Sequence, residues 1–180
     1  MGLCFLISVL VVGCSLVAGP EVSVPPDPFV VTPDGAKVSP ECFNVPMVRK
    51  DGQRGAYWEN HPERKTLNCN LGVVDLSEYD TVTLHLSSEV ANDAPITFVV
   101  SSENPATEDG IDYYRVNFHV DWVGDRTLTY KFSEFHTSRT PIGWHHVDSV
   151  KFWSDFGGIT PPSDTVLTIW SIEFTKSAND

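Results

Sequence analysis

The sequence predicts an all-β protein built as an antiparallel two-sheet sandwich. Short segments that alternate apolar and polar residues recur along the chain, clusters of turn residues separate them, and no stretch shows a convincing helical period. Many short strands, each with one apolar face, describe an antiparallel sandwich or barrel rather than an α/β fold.

Residues 1–19 contain no charged side chain and run apolar from Leu3 to Val12. That run is short for a membrane span and reads as the apolar part of a signal peptide, although no Lys or Arg precedes it. Within it, Val11-Val12-Gly13-Cys14 resembles the lipobox of bacterial lipoproteins, in which the Cys becomes the lipidated first residue. Two outcomes stay open. One is a lipoprotein anchored through Cys14, periplasmic or on the cell surface. The other is cleavage near Ala18 and ordinary secretion. Both predict export, and a membrane would be met only through the lipid.

Residues 20–46 are rich in proline (Pro25-Pro26-Asp27-Pro28, Pro33-Asp34-Gly35, Ser39-Pro40) and cannot be helical. They read as an extended lead-in or spacer, with room for an edge strand over residues 29–32. The sandwich domain is assigned to residues 47–180. In it, residues 81–87 alternate strictly, with Val82, Leu84 and Leu86 opposite Thr83, His85 and Ser87. Residues 96–102 follow the turn signal Asp93-Ala94-Pro95. The longest run, residues 111–122, sets Tyr114, Val116, Phe118 and Val120 against Tyr113, Arg115, Asn117 and His119. Residues 127–132, 147–153 and 165–174 complete the set, punctuated by glycines and by Pro161-Pro162.

Apolar residues make up 41% of the 180 and charged residues 20%, the composition of a single folded globular domain. Twelve basic residues against 24 acidic give a net charge of −12. That argues against nucleic acid, where neutralising phosphates needs clustered Lys and Arg. It also argues against broad attraction to anionic membranes or sulfated polysaccharides, although a local Arg or a bound cation still serves an acidic ligand. Beyond the leader only Cys42 and Cys69 remain, an even count for an oxidising compartment. A bond between them would close a loop of roughly 27 residues, worth about 3 kcal/mol; the alternative is two buried thiols.

Several segments resemble a known family when taken in order. They are Tyr79-Asp80-Thr81-Val82-Thr83-Leu84, Ser101-Ser102-Glu103-Asn104, Asp112-Tyr113-Tyr114 and Val120-Asp121-Trp122. Phe132-Ser133-Glu134-Phe135, Ile142-Gly143-Trp144, Val150-Lys151-Phe152 and Thr165-Val166-Leu167-Thr168-Ile169 follow. The set is similar to jelly-roll modules with a galactose-binding-like fold, including carbohydrate-binding modules. It is similar too to the β-sandwich that accompanies heparinase- and alginate-lyase-type polysaccharide lyases. The resemblance spans about residues 55–175 and implies a jelly roll that binds polysaccharide without catalysis. The alternative it implies is a structural or adaptor sandwich packed on a partner such as a lyase. Members of this family usually carry an acidic residue in the last strand that helps hold a structural calcium. Trp170 stands there instead, and an indole offers no oxygen ligand. Glu59, Asp75 and Glu173, with backbone carbonyls, are the remaining candidate ligands for calcium.

Sugar recognition needs flat aromatic platforms and planar polar groups aimed at hydroxyls. Trp58 sits beside Glu59 and Asn60 after a glycine-flanked turn. Trp153 falls where alternation predicts solvent, as does Trp170 if the final strand stays regular, whereas the resemblance implies that Trp144 plugs the core, and Trp122 reads as a strand end. Together with Arg115, Asn117 and His119, the residues Trp58, Glu59, Trp153 and Trp170 form the candidate carbohydrate-binding set. No carboxylate pair, metal-ligand spacing, nucleophile elbow or phosphate-cradling loop stands out, so no enzyme activity is expected.

Overall fold

The computed structural model describes residues 26–33, 35–36, 42–43, 45–59, 63–108, 111–155 and 162–177. The leader segment and Cys14 lie outside them. Twelve strands appear in chain order: β1 Phe29–Thr32, β2 Gly35–Ala36, β3 Met47–Lys50, β4 Gln53–Trp58, β5 Thr66–Val74 and β6 Thr81–Ser88. They continue with β7 Ala94–Ser101, β8 Tyr113–Val120, β9 Gly124–Lys131, β10 His136–Ser138, β11 Val147–Trp153 and β12 Leu167–Thr175. A single 3-10 turn, Phe132–Glu134, separates β9 from β10.

The strands form two sheets, and every pairing among the described residues is antiparallel. The five-stranded sheet runs β10-β8-β7-β11-β5. In the seven-stranded sheet β9, β6 and β12 lie side by side. The far edge of β12 is shared: β4 pairs with residues 167–169 and β1 with residues 172–174. A β-bulge falls at this handover, between Ile169 and Ser171. It switches the inward positions from Leu167 and Ile169 to Ile172 and Phe174, all fully buried.

The inward faces close on one apolar core. Val82, Leu84 and Leu86 of β6 meet Ile96, Phe98 and Val100 of β7 and Val150 and Phe152 of β11 in a single cluster. Trp144 seals one end of the sandwich. Its indole stacks between Tyr114 (centroids 4.4 Å) and Phe132 (3.7 Å), each within 12° of parallel. Asp51 and Gly52 both take positive φ, 51° and 83°, which gives β3 and β4 the two-residue turn that an Asp-Gly pair favours.

The strand for which the sequence leaves room over residues 29–32 is formed, between β2 and β12 of the seven-stranded sheet, with Val31 fully buried. Pro33, which lacks a backbone donor, follows directly after that strand rather than interrupting it. Cys42 and Cys69 are joined in a disulfide, so residues 42–43 are docked on β5 as well.

Asp80 holds the C-terminal end of the described chain. Its Oδ1 accepts hydrogen bonds from the Ser177 N–H (2.8 Å), the Ser177 hydroxyl (2.8 Å) and the Thr81 hydroxyl (2.9 Å). Burial raises the carboxyl pKa, but these bonds and the nearby Lys176 outweigh it and hold the value down to about 2. A depressed carboxylate pKa stabilises the fold above the unfolded value of 3.8 and loses that contribution as pH falls through the folded one. Chemical-denaturation midpoints are therefore expected to drop between about pH 4 and pH 2, and Asp80→Asn to flatten that part of the profile. An unchanged slope in the variant would show that the contact is energetically silent.

Candidate functional site

Outward positions of the five-stranded sheet follow from its core positions. Ile96, Phe98 and Val100 of β7, Val116, Phe118 and Val120 of β8, Val150 and Phe152 of β11, and Leu67 and Cys69 of β5 all point inward. Their alternating neighbours therefore share the opposite face. Register aligns those neighbours in rows across the strands. One row reads Asn117, Thr97, Trp153, Thr66. The next reads His136, Arg115, Val99, Lys151, Asn68. A third reads Ser138, Tyr113, Ser101, Ser149, Asn70.

Tyr113 and Trp153 stand on the two strands that flank β7, yet their rings meet edge to face with centroids 5.2 Å apart. The pair therefore bridges over β7, and Val99 between them is fully buried although it lies outside the core cluster. Trp153 stays half-buried and lines a groove of ≈ 600 Å³ with Thr66, Asn68, Asn70, Ile111, Ser149 and Lys151. Beside the rings, Asn117 Oδ1 accepts from the Thr97 hydroxyl (2.9 Å) and from Arg115 Nη1 (3.4 Å). This orients the Asn117 amide so that its two N–H donors point away from those bonds. His119 Nδ1 lies 3.1 Å from Asp93 Oδ1, at the end of the face.

The Tyr113 end is anchored by Asp112, which is 1% exposed. Its oxygens accept from the backbone N–H of Thr140 (2.9 Å) and Asn104 (3.1 Å), while its own N–H donates to Glu103 Oε2 (3.2 Å). Burial pushes the Asp112 carboxyl up, but the donors around it prevail and hold it below the usual carboxylate range. The two loops at this end of the sheet are thereby pinned to each other.

Four of the seven residues proposed from the sequence, Arg115, Asn117, His119 and Trp153, thus share one face. Trp170 does not join them, because β12 belongs to the other sheet. It sits in the β12 bulge with its ring 2.7 Å from where a Cβ on Gly55 would be, and its Nε1 donates to Ser87 Oγ (3.0 Å). The indole so covers the backbone where β4 gives way to β1. Most of the charges lining the ≈ 360 Å³ cleft beside it have partners. His85 Nε2 lies 3.5 Å from Glu173, and Lys50 pairs with Asp125 at 2.7 Å. Lys50 and Asp125 lie on opposite edges of the sheet, four strand spacings or about 19 Å apart if it were flat. Their contact means that the β3–β4 turn folds over this face and partly roofs it.

Trp58 is corrected. It is fully buried, and its Nε1 donates to the Arg64 carbonyl (2.7 Å), so it fills the core and offers no platform. Ala56 and Trp58 share the inward side of β4, which leaves Glu59 exposed at the strand end. The calcium set is not assembled either. Asp75 spends Oδ1 on the Ser77 N–H and hydroxyl, Glu173 faces His85, and no three His, Cys, Asp or Glu side chains converge among the described residues.

Sequence reasoning did not select Tyr113, Lys151, Asn68 and Asn70 as site residues. For the first two the signal was present, because each shares an alternating face with a selected residue.

No family model matches the chain, and no protein of curated function matches it by sequence. Solved structures do. The family 11 carbohydrate-binding module from Clostridium thermocellum, solved with a β-1,3-1,4-mixed-linked tetrasaccharide, is similar with a TM-score of 0.56 and 14% identity. That match covers 77% of this chain and 85% of the module. A family 30 carbohydrate-binding module is similar with a TM-score of 0.51 and 11% identity, over 87% of this chain and 86% of that one. The chain has the jelly-roll fold of carbohydrate-binding modules. At such identities the shared property of these jelly rolls is the fold, and the ligand has to be argued from the residues of this one.

Proposed function

We propose that this jelly roll is a non-catalytic carbohydrate-binding module whose site is the outer face of the five-stranded sheet. The observation that carries the proposal is the pairing of the half-buried Trp153 ring with polar side chains held in register around it. A pyranose presents C–H faces that pack on an indole and equatorial hydroxyls that bond planar amides. Asn68, Asn117 and Lys151 supply donors within one or two strands of Trp153. Catalysis is not part of the proposal, because glycoside hydrolysis uses two carboxyl groups and Asp148 is the one carboxylate among the described residues of the groove. Export belongs to the same proposal, with Cys14 as the candidate lipid anchor, and the Cys42–Cys69 disulfide fits an oxidising compartment.

Affinity electrophoresis through gels containing single polysaccharides, neutral and acidic, tests this reading. Retardation by at least one of them is expected. Folded protein that migrates unretarded through the whole panel would overturn it.

A further inference from the structure

Charge on the two outer faces is distributed unequally. On the seven-stranded face Lys50 is matched by Asp125 and His85 by Glu173. On the five-stranded face Lys151 and Arg115 occupy one row, with the His136 ring at its end, and no outward position in the three rows holds a carboxylate. Asp148, at the groove's end, already accepts the Glu103 N–H (2.8 Å) and the Ser149 hydroxyl (3.0 Å). Lys151 has no ion-pair partner among the described residues and is half-buried between Val99 and Asn68. In a chain of net charge −12, a sheet face whose three outward rows hold cations and no carboxylate, with Asp148 the one carboxylate among the described residues of the adjoining groove, departs from the average surface.

Resting on the reading that this face binds a glycan, the geometry points to a uronate-type ligand, a polysaccharide bearing carboxylates on its sugar rings. Lys151 and Trp153 are two residues apart on one strand face, about 7 Å. One sugar unit can therefore lay its C–H face on the indole and bring its carboxylate to the Lys151 ammonium. Arg115 lies in the same row two strands away, about 10 Å, where it donates to Asn117 Oδ1 (3.4 Å) and adds positive charge to the face, so the carboxylate contact is assigned to Lys151. A half-buried cation is screened less than an exposed one, so the pairing contributes more here than at the open surface. The overall negative charge works against weakly bound polyanions and leaves this face as the place where one is tolerated.

The test compares ligands that differ only in charge: polygalacturonate oligomers against their methyl esters, and cellouronate against cello-oligosaccharides, by calorimetric titration at low and moderate salt. In at least one pair the acid is expected to bind tenfold or more tighter than its neutral partner, and to weaken several-fold as NaCl rises. Lys151→Gln is expected to abolish the preference and its salt dependence, lowering the acid's affinity at least about fivefold more than the neutral partner's, and Lys151→Arg to retain both. Neutral forms bound as well as acids, without salt dependence, would overturn the charge assignment and leave carbohydrate binding standing. Failure of both acids to bind protein that a polysaccharide of the electrophoresis panel retards would overturn the uronate assignment alone, and absence of retardation by the whole panel would remove both.

Discussion

Trp153→Ala is expected to weaken glycan binding at least tenfold, about 1.4 kcal/mol or more, while the protein stays folded. The indole is the half-buried ring of the face, and it closes over Val99 together with Tyr113 across β7. Truncation removes the platform and also opens an apolar hole that water enters. A modest fall in Tm is therefore part of the expectation, and binding is to be compared well below it. Trp153→Phe keeps an aromatic surface and should recover part of the affinity. The contrast variant is Trp170→Ala, whose target lies on the opposite sheet with its N–H already bound to Ser87. It should bind within about twofold of the parent. Equal losses from both variants would mean that the ring positions act through stability rather than contact.

Removal of the disulfide has the second large effect. The Cys42→Ala/Cys69→Ala double variant is expected to lose about 3 kcal/mol, since a bond spanning 27 residues restricts the unfolded chain. For a domain of this size each kcal/mol moves Tm by about 2–4 °C, so calorimetry should record a fall on the order of 6–12 °C. Both sulfurs lie in the core, at 3% and 0% exposure, which makes Ala rather than Ser the cleaner replacement. The loss should be local as well as global. Cys69 sits between Asn68 and Asn70 on β5, an edge strand of the five-stranded sheet, so amide exchange should accelerate there first. A fall under about 1 kcal/mol would mean that residues 42–43 stay docked through Phe43, which is 2% exposed, without the bond.

Much of the fold was legible because alternation is local. Residues 81–87 and 113–120 display their two faces directly, and the inward and outward sets match those observed. β5 was not recognised, although Leu67, Cys69 and Leu71 alternate with Thr66, Asn68 and Asn70. Asn is a poor strand former, and that blurred the pattern. The same asparagines are what a sugar-binding face needs, so local propensity gave way at the candidate site.

The site was half legible for a different reason. Alternation places Trp153 and Trp170 outward but is silent on which sheet each strand joins. Pairing of β11 with β5 and β7, and of β12 with β6, β4 and β1, separates the two rings. Outward placement of Trp170 assumes a regular final strand, whereas apolar parity switches from Ile169 to Ile172 at the bulge that holds Trp170. Trp58 was chosen for its polar neighbours, whereas Ala56 two residues earlier, also buried, marks its true side.

Assignment of the binding face is tested most directly by ¹⁵N–¹H correlation spectra during titration with an oligosaccharide that the protein retains. The Trp153 indole N–H, the Asn68 and Asn117 side-chain amides and the backbone of β7 and β11 are expected to shift progressively, while the Trp170 and Trp58 indoles hold still. Shifts centred on Trp170, His85 and Thr127 would contradict the assignment and move the site to the seven-stranded sheet.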